Sequence, residues 1–112
     1  MEQPNSNSED EQSKEKKIKS LNENTVFIGD KPIINYIRSA TIQLNKPGCS
    51  EIIIRARGKF ISKAVDVSEV VKRNLQSRAL YAKEIRINSE EFEKDGKKLK
   101  ISTMDIVLAA KG

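Results

Sequence analysis

Glu51-Ile52-Ile53-Ile54-Arg55-Ala56-Arg57-Gly58 is the stretch that decides the fold. Three consecutive β-branched residues leave no polar face over Ile52 to Ile54, and a strand apolar on both sides belongs inside a sheet rather than at its edge. Gly58 ends the run. On its N-terminal side, Thr25-Val26-Phe27-Ile28 reads as a short strand closed by Gly29. Between the two strands Ile33, Ile34, Ile37, Ala40, Thr41 and Leu44 recur at helical spacing. Pro32 suits that helix's first turn, where a missing N–H is harmless, Asp30 is the expected cap, and Pro47-Gly48 stops the helix. On the C-terminal side, Phe60 to about Gln76 repeats Ile61, Ala64, Val65, Ser68, Val71 and Leu75 along one helical face, leaving Lys63, Lys72 and Arg73 for solvent or ligand. Two alternating runs follow, Lys83 to Phe92 and Leu99 to Ala109. The segment Glu93 to Lys98 joins them, and its Asp95-Gly96 signals a hairpin turn.

The order is β-α-β-α-β-β. A strand, helix, strand unit takes a right-handed crossover, so an α/β sandwich is expected: a four-stranded mixed sheet with two helices on one face. Hairpin strands of about ten residues exceed the usual five to six, so part of the hairpin should project as an arm. Residues 1–22 hold almost nothing apolar and are expected to form a disordered polar tail, with one domain over 23–112.

Charge sharpens the division. Lys and Arg number 21 against 16 Asp and Glu, a net +5. The tail holds five acids and four bases, which leaves 11 acids and 17 bases, net +6, on the expected domain. Such an excess attracts polyanions and releases counterions on phosphate contact. There is no histidine and a single cysteine, Cys49, so the usual zinc sites, His-based catalytic pairs and intramolecular disulfides are excluded. No phosphate-loop motif or carboxylate pair supplies an enzyme's acid, base or nucleophile, and neither metal nor cofactor is expected. No apolar run approaches the roughly 18 residues of a membrane span, and the first 20 residues are unlike a signal peptide, so a cytoplasmic protein without a membrane partner is expected.

Several motifs stand in a recognisable order: Val26-Phe27-Ile28-Gly29, Lys31-Pro32, Asn35-Tyr36, Glu51 through Gly58, Ile61-Ser62-Lys63-Ala64-Val65-Asp66, Lys83-Glu84-Ile85-Arg86 and Ser102-Thr103. Over roughly residues 24 to 110 the chain resembles the Alba family of archaeal DNA- and RNA-binding chromatin proteins. The resemblance implies a non-enzymatic dimer, from one chain or with a paralogue, that binds double-stranded DNA without strong sequence preference and often RNA too. It implies that Lys31, Asn35, Arg55, Arg57, Lys59, Lys63 and Arg86 belong to the binding surface, that hairpin arms reach along the minor groove, and that the protein sits on the chromosome; Lys97 and Lys98, at the hairpin tip, serve either that arm or the protection of its edge strands. Two positions depart from the family pattern. Asp30 stands where many members have the first of two lysines, whose acetylation weakens DNA binding, and Leu75 stands where many have a phenylalanine that stacks between dimers.

The residues carry a mechanism of their own. Arg57, Gly58 and Lys59 fill the turn after a central strand, where a glycine lets backbone N–H groups approach a phosphate and an arginine forks onto its oxygens. Lys31 opens the first helix and Lys63 begins the second, where the helix dipole adds to a lysine's attraction for an anion. Arg55 could instead pair with an acid across the sheet, and Asn35 could be a buried polar group. The tip lysines have acids beside them in Glu90, Glu91, Glu93 and Asp95, and Glu9-Asp10-Glu11 of the tail could compete with phosphates. DNA coating, RNA binding and a protein-interaction module whose hairpin joins another sheet remain open at this level. Phe27, Phe60, Phe92, Tyr36 and Tyr81 are not spaced as a base-stacking strand pair.

Overall fold

In a computed structural model, which describes residues 24–111, strands β1 (Thr25–Phe27), β2 (Glu51–Arg57), β3 (Tyr81–Lys94) and β4 (Lys97–Ala109) form one sheet in the order β1-β2-β4-β3. Helix α1 (Ile33–Leu44) links β1 to β2, and α2 (Ile61–Asn74) links β2 to β3 between two short 3-10 turns, Gly58–Phe60 and Gln76–Arg78. The expected tail and its acidic run at Glu9 to Glu11 lie outside the described residues.

The isoleucine run is central, as its pattern demands. β2 pairs in parallel with β1 and antiparallel with β4, and Ile52, Ile54 and Ala56 are buried while the alternating residues turn to the other face. Val26, Ile106 and Leu108 share the buried face and meet Ile37, Ala40 and Leu44 of α1 with Ala64, Val67 and Val71 of α2. Both helices therefore lie on one side of the mixed sheet. At about 25 cal/mol per Å² of apolar area, each such buried Leu, Ile or Val contributes roughly 1.5–3 kcal/mol before entropy is counted.

Helix phases differ from expectation by one position. Tyr36 is buried and Ile34 exposed on α1; Val67 is buried and Val65 exposed on α2. Only the sheet fixes which arc of a helix faces inward. Asp30 does not cap α1: the cap position is Pro32, with no side-chain hydrogen bond, and the carbonyl of Pro32 accepts from the Asn35 N–H. α1 ends against Arg78, whose guanidinium donates to the carbonyls of Leu44 and Cys49.

The hairpin is longer than its sequence pattern. The expected six-residue linker shrinks to Asp95-Gly96, with φ of 53° and 75°, and the ladder runs out to Lys94 and Lys97. Two successive positive φ values match the right-handed twist of the strands, which is why Asp-Gly serves here. All 14 residues of β3 are exposed, so its outer half does project beyond the body.

Candidate nucleic-acid interface

β1 and β2 run parallel, so their C-terminal ends, and the N-termini of the helices that follow, gather at one end of the molecule. Neither α1 nor α2 has an acid in its first turn, so both helix dipoles direct uncompensated positive charge there. Lys31 lies in the β1–α1 loop, and Lys59 in the turn before α2; both are exposed, and neither has an acidic partner among the described residues. Asn35 is exposed on the first turn of α1, not buried.

Lys63 joins the two loops. Its ammonium donates to the carbonyls of Gly29 and Lys31, each at 2.6 Å, and lies 5.3 Å from the Tyr36 ring and 5.8 Å from the Phe60 ring. The buried Tyr36 completes the clamp, its hydroxyl accepting from the N–H groups of Gly29 (2.9 Å) and Lys31 (3.0 Å). Lys63 thus spends two of its three ammonium donors on backbone, and the loop that carries Lys31 is held at four of its polar atoms.

Gly58 has φ of 53°, and a Cβ there would lie 2.9 Å from Cδ1 of Ile101. The left-handed conformation favours glycine here, and any larger residue would also have to displace the end of the Ile101 side chain on the hairpin.

The remaining candidates lie on the sheet face away from the helices. Register sets Phe27, Arg55, Asp105 and Arg86 in one row across all four strands. Arg55 donates from Nε (2.8 Å) and Nη2 (2.9 Å) to the two carboxylate oxygens of Asp105. Hydrogen bonding from Arg55 holds the Asp105 carboxyl below the usual carboxylate range against partial burial, and Asp105 raises Arg55 in return. Arg86 leans on Glu84 at 3.1 Å and comes within 4.0 Å of Asp105. Arg57 reaches Glu90 at 3.3 Å with 54% of its side chain exposed, a contact that water screens and a phosphate could replace. At the hairpin tip Lys97 stands opposite Lys94, concentrating charge, while Lys98 stands opposite Glu93.

The sequence reading missed Tyr36 as a loop clamp and Asp105 as the partner of Arg55. An acid within the apolar run of β4 was the one visible signal for Asp105. Missed too was a groove of about 810 Å³ shared by Phe27 and Phe60, with Arg55, Arg57 and Lys59 on its walls. Among the described residues no cluster suited to a metal ion occurs, and no helix is long and apolar enough to cross a membrane.

The architecture has counterparts. The family profile described as Alba matches residues 24–89. "DNA/RNA-binding protein Alba 1" of Archaeoglobus fulgidus is 38% identical over 89 residues, covering 80% of this chain and 98% of that protein. "DNA/RNA-binding protein Alba" of Picrophilus torridus is 38% identical over 86 residues, covering 77% and 94%. The solved structure of Alba from Thermoplasma volcanium superposes with a TM-score of 0.70 at 36% identity, over 77% of this chain and 99% of that one. ALBA1 from Trypanosoma brucei shares the fold, with a TM-score of 0.62 at 21% identity over 79% of this chain and 69% of that one. A profile match over most of the domain, near-complete coverage of relatives above 30% identity and the same strand and helix order together make this chain a member of the Alba family.

Proposed function

We propose that the chain binds double-stranded DNA with little sequence preference, as a non-enzymatic dimer that coats or compacts the chromosome in the cytoplasm. The observation that carries this reading is the gathering of Lys31, Lys59 and Arg57 with two helix N-termini that have no acid in their first turns, at one end of the sheet, with Lys31 on a loop that Lys63 and Tyr36 lock in place. Fixed cations with no structured recognition helix suit phosphates, which position a protein on a duplex without reading its bases. Relatives bearing the name DNA/RNA-binding protein support the reading.

An exposed apolar strip supports the dimer. Ile85 (57% exposed) and Ile87 (74% exposed) project from β3 on the helix side of the sheet, alongside α2, whose Val65 is also exposed. A second copy, or a paralogue with the same strip, would cover it with an equal and self-complementary surface. Two subunits would then place two loop clusters and two hairpin arms on one duplex.

The test is fluorescence anisotropy of the protein with duplex DNA, duplex RNA and single strands across a salt series. About six phosphate contacts per dimer give a log-log slope near −5 on duplex DNA. Reversing charge at Arg57 and Lys59 together should weaken binding to every duplex sequence alike, with a shallower slope. Loss on one sequence only would contradict sequence-tolerant binding, and no binding to any nucleic acid even at low salt would favour a protein-interaction module instead.

A further inference from the structure

We propose that the groove holding Phe27 and Phe60 is a second ligand site, which takes one unpaired base of a single-stranded nucleic acid, with Phe27 as its stacking platform. The site rests on the nucleic-acid reading above in sharing Arg57 and Lys59, and differs from it in needing a base that has left the helical stack.

Phe27 is 55% exposed on a three-residue edge strand, on the sheet face opposite the core. Its neighbour Val26 supplies the core contact of β1, so packing gives no reason for a large aromatic at position 27. Beside it Arg55 is held rigid by Asp105, its guanidinium 5.8 Å from the ring centroid. A planar cation fixed against an exposed ring makes a ready-made stacking surface. The turn after β2 brings Phe60 into the same groove, with the Lys59 ammonium 5.3 Å from its ring. At about 810 Å³ the space lies within the range of small-molecule sites and accommodates a nucleobase with its sugar.

The chemistry of the walls selects the occupant. Arg57 and Lys59 at the rim sit where the phosphates flanking a bound base would pass, and an apolar peptide or acyl chain would strand both charges. Glu90, the acid lining the groove, is an acceptor-only group. It repels phosphate yet can receive the amino group of a base edge, which sets the base inward and the backbone outward. Bases in an intact duplex are stacked on one another and cannot reach Phe27. Aromatic platforms flanked by cations are how sequence-tolerant single-strand binders hold an unstacked base.

Phe27→Ala and Phe27→Trp test the site. Anisotropy of the full chain with a 12-nucleotide oligoadenylate, its deoxy counterpart and a duplex DNA of equal length should show single-strand affinity falling roughly 5- to 100-fold in Phe27→Ala, the value of one base stack. Duplex affinity should stay within about twofold, because a stacked base offers that ring nothing. The chain has no tryptophan, so Phe27→Trp gives a single reporter. Its emission should be quenched by the single strands and unchanged by duplex. Comparing RNA with DNA strands shows which sugar the groove accepts. Unaltered single-strand binding in Phe27→Ala, an equal loss on duplex, or a tryptophan blind to single strands would overturn the proposal. A wild-type protein that ignores duplex but binds single strands through Phe27 would remove the chromosomal reading and leave this one standing.

Discussion

Lys63 holds the loop of Lys31 in place, and in the proposed function this makes it a positioning residue. Its ammonium is bound to two backbone carbonyls of the β1–α1 loop, so its removal frees the segment that presents Lys31. Lys63→Gln should lower stability by about 1–3 kcal/mol, the worth of hydrogen bonds to a charged group, and weaken duplex binding through disorder of that loop. The salt slope separates positioning from contact: a lysine on a phosphate takes about one unit of slope with it, whereas a clamp leaves the slope unchanged. Anisotropy at four or five salt concentrations decides. A slope reduced by one would return Lys63 to the phosphate contacts that its place at a helix start led one to expect.

Between elements, the Arg55–Asp105 pair ties the central strand to β4 with two hydrogen bonds in a side-on fork. Half-screened bidentate pairs of this kind contribute about 1–2 kcal/mol. Because Asp105 titrates below its unfolded value, the contribution is complete above the ordinary carboxylate pKa of about 3.9 and is lost as pH falls through the lowered value. Thermal melts of the wild type and Asp105→Asn should therefore differ by a constant amount from pH 7 to about 5 and converge toward pH 2. A gap that persists in acid would mean that packing, not charge, accounts for the loss. Fixing Arg55 here also removes it from the pool of free phosphate ligands and leaves Arg57, whose partner Glu90 is as exposed as itself, as the nearer candidate.

At the scale of the molecule, two helices cannot cover a sheet whose hairpin strands reach 13 and 14 residues. The inner half of β3 is left with Ile85 and Ile87 exposed on the helix side of the sheet. A lysine at a contact between two copies desolvates a charge against its own symmetry mate, whereas on a free surface it costs almost nothing. Ile87→Lys should thus convert the proposed dimer to a monomer in analytical ultracentrifugation, with the far-ultraviolet circular dichroism retained. Duplex affinity should fall along with the number of phosphate contacts per particle. An unchanged sedimentation coefficient would place the interface elsewhere on the surface.

The sequence by itself determined the element order, the central place of Ile52 to Ile54, the hairpin turn at Asp95-Gly96 and the loop positions of Lys31 and Lys59, while Arg57, read as part of the turn, is the last residue of β2. These follow from local rules: β-branched runs, helical spacing and glycine at positive φ are properties of a few neighbouring residues. Tertiary structure alone decided what those residues do. Arg55 and Asp105 are 50 positions apart, and Lys63 and Gly29 are 34 apart. Such pairs exist only once strand order and register are set, and a one-residue slip would have turned Arg55 into the core. The same holds for Phe27 and Phe60, which the spacing along the chain had set aside as unrelated aromatics. They share a groove because parallel pairing of β1 with β2 brings the ends of both strands together, a long-range consequence that no local pattern encodes.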